Sequence, residues 1–303
     1  MICKLAALAA GLALALAGGA AGAQPATPVM DAAEAMPLVM EQGLFLDFAE
    51  GSNRAIAVGE RGHIAVSESR SDWRQVENVP TRATLTGVAA IGDRAWAVGH
   101  DGTILGSEDG GLSWSVQRVD VWKPLAEDDF DAEFDPTQGA PLLDVIALDR
   151  DHVIAIGAYS LMLVSRDGGR SWDKVDPNAT VVDPDPDAAE AAAAPAEPAA
   201  EAGGEDDWLL DDESLILDEE EDPHLNGITR TPDGGLLIVA ERGAGFRSLD
   251  QGQTWQRLSL PYEGSMFGVL ALGEGHVLAY GLRGNVQESF DFGDTWIELD
   301  TGT

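Results

Sequence analysis

Apolar positions in this chain come in runs of three to six residues, each cut off by a cluster of Gly, Asp and Ser. Ile64-Ala-Val66, Thr103-Ile-Leu105 and Leu161-Met-Leu-Val164 each run into such a cluster, and Val116–Val119 and Gln256–Leu258 follow one. Short apolar runs bounded by turn residues predict strands, and no stretch sustains a helical period. Two further runs lie upstream of each cluster. Leu85–Ala90 and Arg94–Val98 meet at Gly92-Asp93, and Met266–Ala271 is followed by His276–Tyr280. Four short strands per unit of about 40 residues is the pattern of a β-propeller blade.

The turn clusters repeat a motif, Ser-x-Asp-x-Gly-x-Ser/Thr-Trp. Four copies are intact: Ser107 to Trp114 with Asp109, Ser165 to Trp172 with Asp167, Ser248 to Trp255 with Asp250, and Ser289 to Trp296 with Asp291. A fifth, Ser67 to Trp73, is one residue short and lacks the Asp and Gly. The chemistry explains the spacing: Asp bonds the turn's own backbone, Gly supplies a positive φ, and Ser/Thr adds a second local bond. Trp is placed to pack between units. The motif resembles the Asp-box, or BNR repeat. The expected fold is all-β, a propeller of five recognisable four-stranded blades at about 44–82, 83–122, 141–176, 224–261 and 265–300. Residues 24–43 precede it as an N-terminal extension, and the propeller region as a whole is 44–303.

Two spacings between the repeat tryptophans are long because of insertions at 121–141 and 176–224. Both fall between the fourth strand of one blade and the first of the next. The second is low-complexity, with 18 acidic residues and no basic one. It buries too little apolar surface to offset its ordering entropy, so disorder is expected. Trp208-Leu-Leu210 and Leu215-Ile-Leu217 stand out within it, and folding of 205–222 over a cationic face would regulate access there.

Charge and targeting narrow the function classes. The chain holds 53 Asp and Glu against 18 Lys and Arg, for a net charge of −35. Nucleic acid and anionic membrane surfaces call for the opposite balance. Lys4, the Leu/Ala run after it and Ala21-Gly22-Ala23 read as a signal peptide over 1–23, so export is expected, most simply to a bacterial periplasm without direct membrane insertion. The single cysteine, Cys3, lies within that leader, leaving no disulfide or thiolate chemistry beyond it.

In an up-and-down blade, the turns between strands two and three lie on the face opposite the Asp-boxes. At the same turn position stand Arg61, Tyr159, Arg242 and Arg283, with His100 one step earlier. Arg and Tyr are frequent interface anchors, so these five residues are the candidate partner-binding surface; Asp109, Trp114, Asp167, Trp172, Asp250, Trp255, Asp291 and Trp296 are expected to be structural. No catalytic residue, metal site or cofactor is assigned. The His residues lack paired ligand spacing. An Asp-x-Asp-x-Asp run at 183–187 has Ala where a calcium loop needs Gly and Glu. Sialidase chemistry would require an Arg triad and a Tyr nucleophile, for which there is no matching motif.

Units such as Trp96-Ala-Val-Gly99-His-Asp-Gly-Thr-Ile-Leu105 followed by the Ser107–Trp114 box resemble the photosystem II stability/assembly factor family. So do Pro141–Val145 and Val153–Tyr159. The resemblance implies a non-catalytic scaffold that binds a protein partner, an assembly or accessory factor for a membrane complex, with Arg61, Arg242 and Arg283 on the binding face. Exported relatives in bacteria without photosystems imply a link to RND-type exporters. The family's propeller typically has seven blades, whereas five are recognisable here; a closed five-bladed ring and an open edge are both compatible with the sequence. The alternatives are a carbohydrate-binding propeller, with a glycan as partner, and a sialidase-like glycoside hydrolase.

Overall fold

A computed structural model describes residues 31–33, 42–123, 135–179 and 222–302. The expected signal peptide, most of the 24–43 extension, and residues 124–134 and 180–221 of the two insertions lie outside them.

The strands form five four-stranded antiparallel meanders, each a blade. Blade 1 holds β1 (Phe45–Glu50), β2 (Ala55–Gly59), β3 (Ile64–Ser67) and β4 (Arg74–Gln75). Blade 2 holds β5 (Leu85–Ile91), β6 (Arg94–Gly99), β7 (Ile104–Ser107) and β8 (Ser115–Arg118). Blade 3 holds β9 (Leu142–Ala147), β10 (Val153–Gly157), β11 (Met162–Ser165) and β12 (Asp173–Val175). Blade 4 holds β13 (Leu225–Arg230), β14 (Leu236–Ala240), β15 (Ala244–Ser248) and β16 (Gln256–Ser259). Blade 5 holds β17 (Met266–Ala271), β18 (Val277–Gly281), β19 (Val286–Ser289) and β20 (Ile297–Glu298). The second strands are buried along nearly their whole length in blades 1 to 4, as a strand sandwiched between two other blades must be.

Neighbouring blades meet at four joints, each with its own apolar cluster. Ile56, Val58, Ile64 and Val66 of blade 1 pack on Leu85, Val88, Ala95 and Leu105 of blade 2. Trp96, Val98 and Ile104 of blade 2 meet Leu142, Val145 and Leu163 of blade 3. Ile154, Ile156, Met162 and Val164 then meet Leu236, Ile238 and Phe246, and Leu237 and Val239 meet Met266, Val269 and Val277. One side of every blade, here called forward, therefore covers the backward side of the next. The box tryptophans Trp114 and Trp255 are buried in these joints, and Trp172 and Trp296 pack against them. Burying one such aromatic fully is worth about 1.5–3 kcal/mol.

The series does not close. The inner strands pack β1 on β5, β5 on β9, β9 on β13 and β13 on β17, but β17 and β1 share no comparable contact among the described residues. The protein is a five-bladed propeller, and among the described residues its last and first blades are not joined, which is the open arrangement of the two compatible with the sequence.

Candidate functional site

The two faces are built differently. On the Asp-box face each turn is closed by its own side chains. Ser107 Oγ donates to Asp109 and accepts from Gly111 N–H, both at 2.9 Å. Asp109 Oδ1 accepts the N–H groups of Leu112 and Ser113, and its Oδ2 accepts the Ser113 hydroxyl. The bonds from serine to aspartate, from the glycine N–H and from the closing hydroxyl recur around Asp167, Asp250 and Asp291. Hydrogen bonds from the Ser171 hydroxyl and N–H hold the Asp167 carboxyl down at about 2. The box glycine turns with φ of 85° at Gly111 and lies against Ile56 and Val66 of the preceding blade, where a Cβ would collide. Each box is thus both a turn and part of a joint.

Three arginines on this face are also committed. Arg54 donates to the Asp109 carbonyl and pairs with Glu68. Arg94 donates to the Arg150 carbonyl and meets Glu108 and Asp151. Arg247 reaches the Phe292 carbonyl and Asp294. All three cross to the next blade.

On the opposite face the same backbone bond recurs in every turn, with Glu60 and Glu241 each adding a side-chain acceptor for an N–H ahead of strand one. The first turn N–H donates to the residue just ahead of strand one: Glu60 to Leu44, His100 to Thr84, Ala158 to Pro141, Glu241 to His224 and Leu282 to Ser265. This docking explains the glycine closing strand two. A Cβ on Gly59, Gly99, Gly157 or Gly281 would overlap that carbonyl. Blade 4 has Ala240 there, and its bond is the longest of the five, 3.2 Å against 2.9–3.0 Å.

The next residue turns left-handed: Arg61 (φ 56°), Asp101 (55°), Tyr159 (56°), Arg242 (55°) and Arg283 (60°). Leaving that region to glycine would save about 1–2 kcal/mol at each position. The predicted residues therefore share one turn position, with Asp101 occupying it in blade 2 and His100 beside it. Arg61, Arg242 and Arg283 are exposed, and no described side chain engages their guanidinium groups. They line an arc rather than a ring: Arg242 and Arg283 are on adjacent blades, and Arg61 is at the far end.

Two features of the site were not read from the sequence. His224 sets its ring edge-on to Tyr159, with centroids 4.9 Å apart, and its N–H and ring reach Glu241 beside Arg242. Ser160 N–H donates to the Pro223 carbonyl, so the residues leaving the acidic insertion are pinned between the turns of blades 3 and 4. The second feature is axial. Asp47 accepts Val88 N–H at 2.8 Å and Asp144 accepts Ile228 N–H at 2.9 Å, each bridging to the next blade. Burial, with the Asp47 charge adding to it and the Ile228 N–H opposing it, pushes the Asp144 carboxyl up to about 7; burial also raises Asp47 against its Val88 bond. The signal was an acid in an inner strand at the position held by Gly87, Gly227 and Gly268 in the other blades. These carboxylates are engaged as inter-blade clamps.

Similarity to known proteins agrees with the repeat chemistry. Residues 65–179, spanning the degenerate box and two intact ones, match the family model described as photosynthesis system II assembly factor YCF48. The chain is a BNR-type β-propeller resembling the photosystem II assembly factors. The photosystem II assembly protein Ycf48 of Synechococcus sp. (strain JA-3-3Ab) is 42% identical to this propeller over 57 residues. That match covers 18% of this chain and 17% of the relative's length. YCF48 from Cyanidioschyzon merolae superposes with a TM-score of 0.53 at 14% identity, over 86% of this chain and 73% of that one. A structure described as YCF48 bound to D1 peptide gives a TM-score of 0.46 at 15% identity, over 84% and 80% of the two chains.

Proposed function

We propose that this propeller is a non-catalytic exported scaffold that binds a protein partner through its turn face, as an assembly or accessory factor for a membrane complex. The observation that carries the reading is the contrast between arginines: Arg54, Arg94 and Arg247 are bonded into joints, whereas Arg61, Arg242 and Arg283 stand exposed at one repeated left-handed position with no described partner. A guanidinium held outward by backbone geometry is suited to a carboxylate, singly or bidentate. With Tyr159 among them, the face fits an acidic or carboxyl-terminal segment of a protein. The matching family model, that of an assembly factor, supports the same class. A bacterial periplasm is the proposed compartment, on the strength of the leader-like residues 1–23. In a host without photosystems, an RND-type exporter is the proposed complex.

The test is in vivo cross-linking with affinity capture and mass spectrometry of the tagged protein in its own envelope. Recovery of one membrane complex, cross-linked near Arg61, Arg242 or Arg283, is the expected result. Recovery of no protein partner, together with a positive glycan array or glycosidase assay, would overturn it.

A further inference from the structure

The four joints leave one forward face, on blade 5, and one backward face, on blade 1, without a described mate. We propose that these two faces dock on each other between copies of this chain, blade 5 of one copy against blade 1 of the next.

Strand register makes the comparison position by position. Phe48, opposite Ala57, stands where Val88, Val145, Ile228 and Val269 stand in the other blades. Those four are at most 8% exposed, and Phe48 is 65% exposed. Tyr280, just before the closing glycine, takes the place of Val58, Val98, Ile156 and Val239, all fully buried; it is 43% exposed. Leu270, opposite Leu278, takes the place of Ala49, Ala89, Ile146 and Thr229 and is 52% exposed. A blade that ends a stack in water replaces such positions with polar residues. Here Phe48 and Tyr280 carry larger groups than their counterparts, and Leu270 is as large as the largest of its own.

The charges complete the fit. At the joints after blades 1, 2 and 4, an arginine on the forward face reaches the Asp-box side of the next blade: Arg54 to Asp109, Arg94 to Arg150 beside Gly168, and Arg247 to Phe292. On blade 5 the position of Arg247 is held by Glu288, which pairs with His276 at 2.8 Å. In the degenerate box of blade 1, Arg70 turns left-handed at φ 63°, as Gly110, Gly168, Gln251 and Phe292 do in the others, and is exposed, its guanidinium meeting Glu50 of its own blade at 2.5 Å. Blade 5 thus carries a carboxylate where blade 4 carries Arg247, and the box of blade 1 carries a cation, while His276 keeps the place of Arg54 and Arg94. Docking in the repeat geometry, in which Arg247 reaches Phe292, brings Arg70 of one copy, beside its own Glu50, onto Glu288 of the other. The contact is heterologous, so it closes a ring or propagates according to its rotation.

Sedimentation velocity of the purified protein across a concentration series tests this. Concentration-dependent assembly is expected, and Arg70→Glu or Glu288→Arg alone should shift its midpoint by at least tenfold. Arg70→Glu combined with Glu288→Arg in one chain should restore it, with melting temperature confirming that each variant folds. A monomer at every concentration, or an assembly indifferent to both single changes, would overturn the proposal. So would hydrogen exchange showing Phe48 and Tyr280 covered within a monomer.

Discussion

The Asp-box face and the turn face are made from the same residue types put to opposite uses. On the first, the box aspartates and Arg54, Arg94 and Arg247 are bonded into the turns and joints that define the propeller. On the second, a recurring backbone bond, packed against glycine in four of the five blades, holds each turn, so the left-handed side chain after it is released from holding the turn. What separates a scaffold residue from an available one is therefore whether the backbone alone can close the turn. For these two sets of arginines the division follows the two faces.

The sharpest way to break the comparison is to attack the box face. Trp255→Ala should lower unfolding free energy by about 3–5 kcal/mol, measured by denaturant titration, because Trp255 is 1% exposed in the joint between blades 3 and 4. Asp109→Ala strips two backbone N–H groups and two hydroxyls of their acceptor, for an expected loss of about 2–3 kcal/mol. Arg247→Ala should cost about 1 kcal/mol while leaving partner affinity unchanged. The triple change of Arg61, Arg242 and Arg283 to Ala should do the reverse: stability within about 0.5 kcal/mol of wild type, with capture of the partner lost. If the triple variant unfolds at lower denaturant than Arg247→Ala does, the division between faces is wrong.

A pH titration separates the box from the axis. Asp167 and the other box aspartates have folded-state pKa values below that of the unfolded chain, so their contribution is present above about pH 4 and is lost as pH falls through the folded values. Asp144 has the opposite sign. Its folded pKa of about 7 lies above the ordinary aspartate value of about 3.9, so the folded state holds the extra proton between them, and stability falls as pH rises across that window. Asp144→Asn should flatten the slope between about pH 4 and 7 and leave the acid limb unchanged. A slope that persists in the variant would assign it to another group.

The blades, their strand order and the box turns were legible in the sequence because each is a local pattern: an apolar run, a turn cluster, a fixed spacing to Trp. The shared turn position of Arg61, Tyr159, Arg242 and Arg283 was legible for the same reason. The axial clamps and His224 were not, since Asp47 to Val88 and His224 to Tyr159 depend on how blades stack and not on any one repeat. The open joint was hidden too, although the degenerate box at Ser67–Trp73 marked the end blade.

That open joint has a mechanical consequence. Each blade is a meander of consecutive strands, and each described joint links only sequence neighbours, so among the described residues no strand ties the two ends of the propeller together. Force applied between residues 44 and 300 would load the outer blades first and peel them one at a time, as a stack and not as a hoop. An optical-tweezers trace should then show several small rips in place of the single large one that a ring locked by its closing strand would give.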